Sequence, residues 1–179
     1  IASQLLRGHD RLRLFEAHTT EVEVLRDWAT AAGRRITVSS TDGFAGLKSV
    51  LPPPSRRALV LIDPSYEDKQ DYRRVIATLE DAFRRFATGT YAVWYPQVSR
   101  PESSRLPELL RRAAPGDWLH AWLTVKAPEP GGRGLHGSGM FVFNPPWQLD
   151  DALRPAMPAL VALLGQDPAA CFGLESRLT

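Results

Sequence analysis

Residues 58–68 read ALVLIDPSYED. Five apolar residues, Ala58 to Ile62, stop at Asp63-Pro64-Ser65-Tyr66, and charge follows at once. An apolar run of this length without alternation reads as a parallel-sheet strand covered on both faces. Asp-Pro is a common way to leave a strand and begin a turn. An acid, a prolyl carbonyl and an aromatic ring at a strand end are also groups that could hold an amino group and a flat ring. The flanking sequence sets the fold in which those two readings compete.

Downstream, Tyr72, Val75, Ile76, Leu79, Phe83 and Phe86 recur at helical spacing. TYAVWYP (90–96) is the next strand, 104–114 a helix, and two further strands lie within 118–127 and 139–147. Between those two lies GGRGLHGSG, read as a flexible glycine-rich loop with no room for a crossover helix. The strands it joins should therefore be antiparallel. A last helix is expected near 150–164, strained by Pro155 and Pro158.

Upstream, RLRLF (11–15) is a strand ended by Glu16. Thr20 with Glu23 fits a capping box for a helix running to Ala32, with Gly33 as its stop. That helix should bury Val22, Leu25, Trp28 or Ala29, and Ala32. ITVSS (36–40) is a strand rich in β-branched residues, followed by Thr41-Asp42-Gly43, a short helix from Phe44 to Leu51, and the stiff Pro52-Pro53-Pro54 link. Strand alternating with helix predicts an α/β fold, mostly parallel, with an antiparallel strand near the C-terminus.

The 179 residues are enough for one domain, and the 44% hydrophobic and 23% charged fractions are ordinary for a globular chain. No apolar stretch reaches the roughly 20 residues that span a bilayer. One cysteine, Cys171, excludes an internal disulfide, and a reducing cytoplasm is the simplest home. His9, His18, His120 and His136 lack metal-ligand spacing, so no metal is expected. A net charge of +2 is weak support for a nucleic-acid partner. The paired arginines (34–35, 56–57, 73–74, 84–85, 111–112) suit phosphate, but as solvated helix faces they need no function. The chain opens on Ile1, and IASQLL reads as the inside of a helix, so the sequence is expected to begin partway through something larger.

Glu16, Asp42 and Asp63 each stand where an expected parallel strand stops. Ligands of open α/β sheets bind beyond the carboxyl ends of strands, so the three acids would line one rim. Glu16 could take both hydroxyls of a ribose. Asp42 could accept from the amino group of an adenine, with Gly43 letting backbone come close. The alternative for each acid alone is a helix cap or first-turn acid.

In this order, strand-Glu16, strand-Asp42-Gly43 and strand-Asp63-Pro64-Ser65-Tyr66 resemble class I methyltransferases that use S-adenosylmethionine. The last cluster resembles the Asp-Pro-Pro-Tyr motif of enzymes that methylate exocyclic amino groups. TDGFAGLKSVLPPPSRRALVLIDPSYE, RRFATGTYAVWYP and SGMFVFNPPW resemble the ribosomal RNA large-subunit methyltransferase J family along essentially the whole chain. The resemblance implies a Rossmann-like methyltransferase sheet, with residues 1–179 a single domain forming the C-terminal portion of the catalytic domain. It implies methylation of the adenine amino group in large-subunit ribosomal RNA. S-adenosylmethionine would be bound by Glu16, Asp42, Gly43 and Asp63. Asp63 and the Pro64 carbonyl would accept the two N–H groups of the target, and Tyr66 would stack on an unpaired or flipped adenine. DNA adenine methylation uses the same chemistry and stays open, as does a non-catalytic nucleic-acid binder, since relatives carry a label of external DNA catabolism.

The sequence departs from the family in two places. No glycine-rich loop follows a strand upstream of Glu16, and Ser65 stands where the motif has proline. Asn144-Pro145-Pro146-Trp147 spells the four-residue motif better, but it should end an antiparallel strand and point to the far side of the sheet.

Overall fold

The computed structural model describes residues 2–132 and 134–179. The chain divides into two compact units, one reaching Leu51 and the other running from Pro52 to Thr179.

The first unit contains α1 (Ala2–Leu5), β1 (Leu12–Phe15), α2 (Thr19–Ala32), β2 (Ile36–Ser39) and α3 (Gly43–Val50). β1 and β2 are parallel, with Leu12 opposite Ile36 and Phe15 opposite Ser39. The capping-box expectation at Thr20 is corrected. The helix is entered at His18, whose N–H is taken by the Glu16 carboxylate at 2.7 Å and whose carbonyl accepts from Val22 at 3.0 Å. Glu16 turns the chain two residues before Thr20 could, so no side chain caps α2. Val22 and Ala29 are buried, whereas Trp28 remains 42% exposed. Gly33, at φ 99°, ends the helix by donating its N–H to the Ala29 carbonyl. α3 packs on β1 through Gly46, where a Cβ would stand 2.4 Å from the Phe15 ring.

The second unit contains β3 (Leu59–Ile62), α4 (Gln70–Arg85), β4 (Thr90–Gln97), α5 (Pro101–Ala113), β5 (Trp118–Thr124), β6 (Gly137–Phe143), α6 (Leu149–Leu164) and β7 (Cys171–Arg177). Its sheet has the order β3-β4-β6-β5-β7. β3 and β4 are parallel; β6 lies antiparallel between β4 and β5, and β7 is antiparallel to β5. The α/β class and the antiparallel β5–β6 pair are as the sequence implies.

One face of this sheet carries Tyr91, Val93, Phe141 and Phe143, all at 1% exposure or less. α4 lays Phe83 edge-on against Tyr91 and Phe143, at ring distances of 5.3 and 5.1 Å. α5 brings fully buried Leu106 and Leu110, and its Arg111 guanidinium lies 5.3 Å from the Trp118 ring. On the other face Met157 of α6 packs with Leu119 and Ala121, flanked by Leu149, Leu153 and Leu174. No described helix is long and apolar enough to cross a membrane.

Three expectations change. β3 is not covered on both faces: it is an edge strand, with Leu59 72% and Leu61 61% exposed and only Ile62 buried. An unbroken apolar run fixes the strand but not its neighbours. Gly137 and Gly139 belong to β6 rather than to a flexible loop (Arg133 of that stretch lies outside the described residues). A Cβ at Gly139 would meet the Tyr95 ring at 2.2 Å, and one at Gly137 the Leu123 carbonyl at 2.4 Å. These glycines make room for a bulky neighbour and a close backbone. Finally, β7 adds a strand that the sequence did not announce.

Candidate active site

β3 and β4 run in register from Leu59 opposite Thr90 to Ile62 opposite Val93, so both carboxyl ends fall at one edge of the second unit. Asp63 leaves β3 there with an exposed side chain. No hydrogen bond or ion pair reaches its carboxylate among the described residues. Partial desolvation holds its pKa above the ordinary aspartate value. Pro64 follows half-buried, and its carbonyl accepts no hydrogen bond from the described residues. An unpaired carboxylate beside an unpaired carbonyl forms a two-acceptor site.

Tyr66 holds this turn in place. Its φ of 56° is unusual for an aromatic residue and reverses the chain. The ring is 2% exposed, 4.7 Å from the Tyr72 ring and 6.3 Å from that of Trp94. Its hydroxyl donates to the Trp94 carbonyl at 2.7 Å. Burial, with smaller contributions from Tyr72 and Asp63, raises the phenol pKa far above its usual value, so the hydroxyl is a permanent donor. Ser65 Oγ accepts from the Glu67 N–H at 3.5 Å, a long contact within the same turn.

Sequence reasoning missed Arg100, whose Nη1 donates to the Tyr66 carbonyl at 3.2 Å. It lies 34 positions away, and an arginine before a proline carries no signal of that contact. Ser103 was missed as well. It is buried, donates to the Pro96 carbonyl at 2.6 Å and fixes the β4–α5 corner from which Arg100 extends.

In the first unit, the structure brings Glu16 and Asp42 to the same end of the β1–β2 pair. The Glu16 N–H reaches the Ser39 carbonyl at 3.1 Å, continuing the ladder. The half-buried Glu16 carboxylate is oriented by the His18 N–H through one oxygen. Asp42 caps α3, accepting from the Phe44 N–H at 2.9 Å. Gly43 is the first residue of α3, and a Cβ there would meet Phe15 at an ordinary 3.5 Å.

Asn144-Pro145-Pro146-Trp147 sits where the antiparallel topology requires. Phe143 is opposite Tyr91, at the start of β4, so the motif leaves the sheet at the end away from Asp63. Asn144 Nδ2 donates to the Ala87 and Gly89 carbonyls at 2.8 and 2.7 Å, and Trp147 is 80% exposed. Those bonds tie the α4–β4 turn.

Parallel strands ending on acids, continued by an antiparallel β6, give a Rossmann-like fold of the class I methyltransferase type. The chain belongs to the family described as "Ribosomal RNA large subunit methyltransferase D, RlmJ", whose model matches residues 1–172. It is 42% identical over 175 residues to ribosomal RNA large subunit methyltransferase J of Haemophilus influenzae, covering 98% of this chain and 62% of that protein. Identity to the Escherichia coli protein of the same name is also 42%, over 89% of this chain and 56% of that protein. The chain thus spans about three fifths of the curated relatives it matches. The crystal structure of protein LPL1258 from Legionella pneumophila superposes with a TM-score of 0.88 at 30% identity, over 98% of this chain and 64% of that one. A probable spermidine synthase from Corynebacterium glutamicum, at 14% identity and TM-score 0.59, shares the fold alone, over 90% of this chain and 57% of that one.

Proposed function

We propose that the chain is part of an enzyme that methylates the exocyclic amino group of an unpaired or extruded adenine in large-subunit ribosomal RNA, with S-adenosylmethionine as methyl donor. The observation that carries this reading is the Asp63–Pro64 pair of unpaired acceptors at the carboxyl end of β3. Family membership supplies the reaction class and the ribosomal RNA. Ribosomal RNA as substrate goes with a bacterial cytoplasmic location.

An adenine amino nitrogen is a poor nucleophile because its lone pair is delocalised into the ring. Asp63 and the Pro64 carbonyl each accept one of its N–H groups, which draws the nitrogen toward tetrahedral geometry and localises the lone pair. Asp63 is suited to this work: it has no competing donor among the described residues, and partial desolvation strengthens it as a proton acceptor. Positioning and electrostatics supply most of the acceleration. Tyr66 clamps the turn through the Trp94 carbonyl. Stacking on the base requires its ring to leave that buried position, so Tyr66 serves as platform only after the turn opens.

The first unit fits the adenosine part of the cofactor. Glu16 is a half-buried carboxylate with one oxygen oriented by backbone, as an acceptor for a ribose diol must be. Asp42 and Gly43 would meet the adenine. When bound, S-adenosylmethionine would supply an electrophilic methyl group.

Asp63→Ala in the full-length protein tests the reading. Methyl incorporation into undermethylated ribosomal RNA should fall at least a hundredfold, while the melting temperature stays within about 2 °C, because an exposed side chain without partners contributes little stability. A folded variant with substantial activity would remove Asp63 from the chemistry. Transfer to DNA in preference to RNA would replace the substrate.

A further inference from the structure

We propose that Arg100 is the phosphate-binding residue of the target site, taking the RNA backbone phosphate beside the methylated nucleotide. The inference rests on the RNA-methylating reading above. β4 continues past its pairing with β3 to Gln97, and the chain then turns through Val98 and Ser99 to place Arg100 over the Asp63–Tyr66 turn.

One Nη1 contact to the Tyr66 carbonyl fixes the guanidinium and leaves most of its five donors available. The side chain is exposed and enters no ion pair among the described residues. Lys69, three residues beyond Tyr66, lies 3.8 Å from the Glu102 carboxylate. Nor is the Arg100 charge spent on Asp63. That carboxylate is shifted upward by desolvation, whereas an adjacent cation would shift it downward. A planar fork held by backbone, with free donors beside an amino-group site, matches a phosphodiester.

The β5–β6 loop runs close to this corner. Gln97 is opposite Gly137, and Gly137 opposite Thr124, so the β5–β6 loop emerges beside Ser99 and Arg100. Its tip passes so near that a Cβ at Gly132, already at φ +69°, would stand 3.0 Å from Ser99 Cβ.

The alternative is that Arg100 merely staples the turn, and the two roles separate in salt dependence. With full-length protein and undermethylated ribosomal RNA, the slope of log affinity against log salt should shrink by about 0.7–0.9 in Arg100→Gln, the value of one phosphate contact. Arg100→Lys should restore most of the slope, and affinity for S-adenosylhomocysteine should be unchanged in both. Melting curves check that both variants fold. An unchanged slope in Arg100→Gln, or a lysine variant no better than glutamine, overturns the assignment. If the wild-type protein methylates RNA while the slope is unmoved, only this inference falls. If the wild-type protein binds no RNA, the functional reading falls with it.

Discussion

His120 shows how one residue ties core packing to pH. It is 5% exposed, held between Trp122 and Phe141 at ring distances of 4.7 and 5.4 Å. Its Nε2 lies 2.8 Å from the Tyr95 hydroxyl of β4. Nδ1 has no hydrogen-bond partner and is 3.9 Å from the Glu175 carboxylate of β7, which Arg111 of α5 also engages. Desolvation dominates over the attraction of Glu175, and Arg111 opposes protonation further, so the imidazole pKa is pushed down to about 4 from 6.5. The sign follows from which state binds the proton. Below about 6.5 the unfolded chain takes a proton that the fold refuses, so stability is full above that value and is lost as pH falls toward 4. Between pH 7 and 4.5 this group should remove on the order of 2–3 kcal/mol. Urea unfolding at the two pH values checks it. His120→Gln should lower stability at pH 7 but lose clearly less than the wild type on acidification. Equal losses in both proteins would assign the acid sensitivity to other groups.

At the scale of elements, α3 and the acid that starts it carry two candidate roles at once. Asp42 caps the helix through the Phe44 N–H, and the functional reading also gives its carboxylate to an adenine. Substitution separates them. Asp42→Ala should cost about 1 kcal/mol through the lost cap, whereas serine, itself a good cap, should keep most of that stability. Both should weaken S-adenosylhomocysteine binding by an amount equivalent to about 1.5–3 kcal/mol, read by isothermal titration on the full-length protein. Full affinity in the serine variant would leave Asp42 as a cap alone. The same ambiguity explains what the sequence could show. The alternation of RLRLF, the β-branched residues of ITVSS and the apolar run ALVLI, followed by Glu16, Asp42 and Asp63, marked β1, β2 and β3, because strand propensity and termination are local properties. The short β5–β6 connection fixed an antiparallel pair, and so set Asn144 aside. CFGLESR could not be read as β7: it has no apolar alternation, most of its residues are exposed, and Gly173 is there to clear the Trp122 ring, which a Cβ would meet at 1.9 Å. The Arg100–Tyr66 contact was equally hidden, since it joins two turns that only the finished sheet brings together.

At the scale of the whole molecule, β3 stands at the edge of the second unit's sheet and, among the described residues, pairs with β4 alone. Its other edge pairs with no strand among the described residues, and Leu59 and Leu61 project from the same exposed face. Both features favour association between chains, because an open apolar strand edge is a template for further pairing. Natural edges of this kind are usually shielded by charge, a bulge or a covering segment, and β3 itself has no charged residue between Ala58 and Ile62. Asp63 is the first charge on its carboxyl side, too near the end of the strand to protect its middle. The 179-residue polypeptide made alone should therefore self-associate as its concentration rises, seen as a growing mass in light scattering. Leu61→Lys places a charge on the bare face without touching Ile62, which points into the core. It should return the polypeptide toward the monomer with unchanged far-ultraviolet circular dichroism. A wild-type polypeptide that stays monomeric across the range, or a lysine variant that associates as strongly, would show that this edge does not govern association.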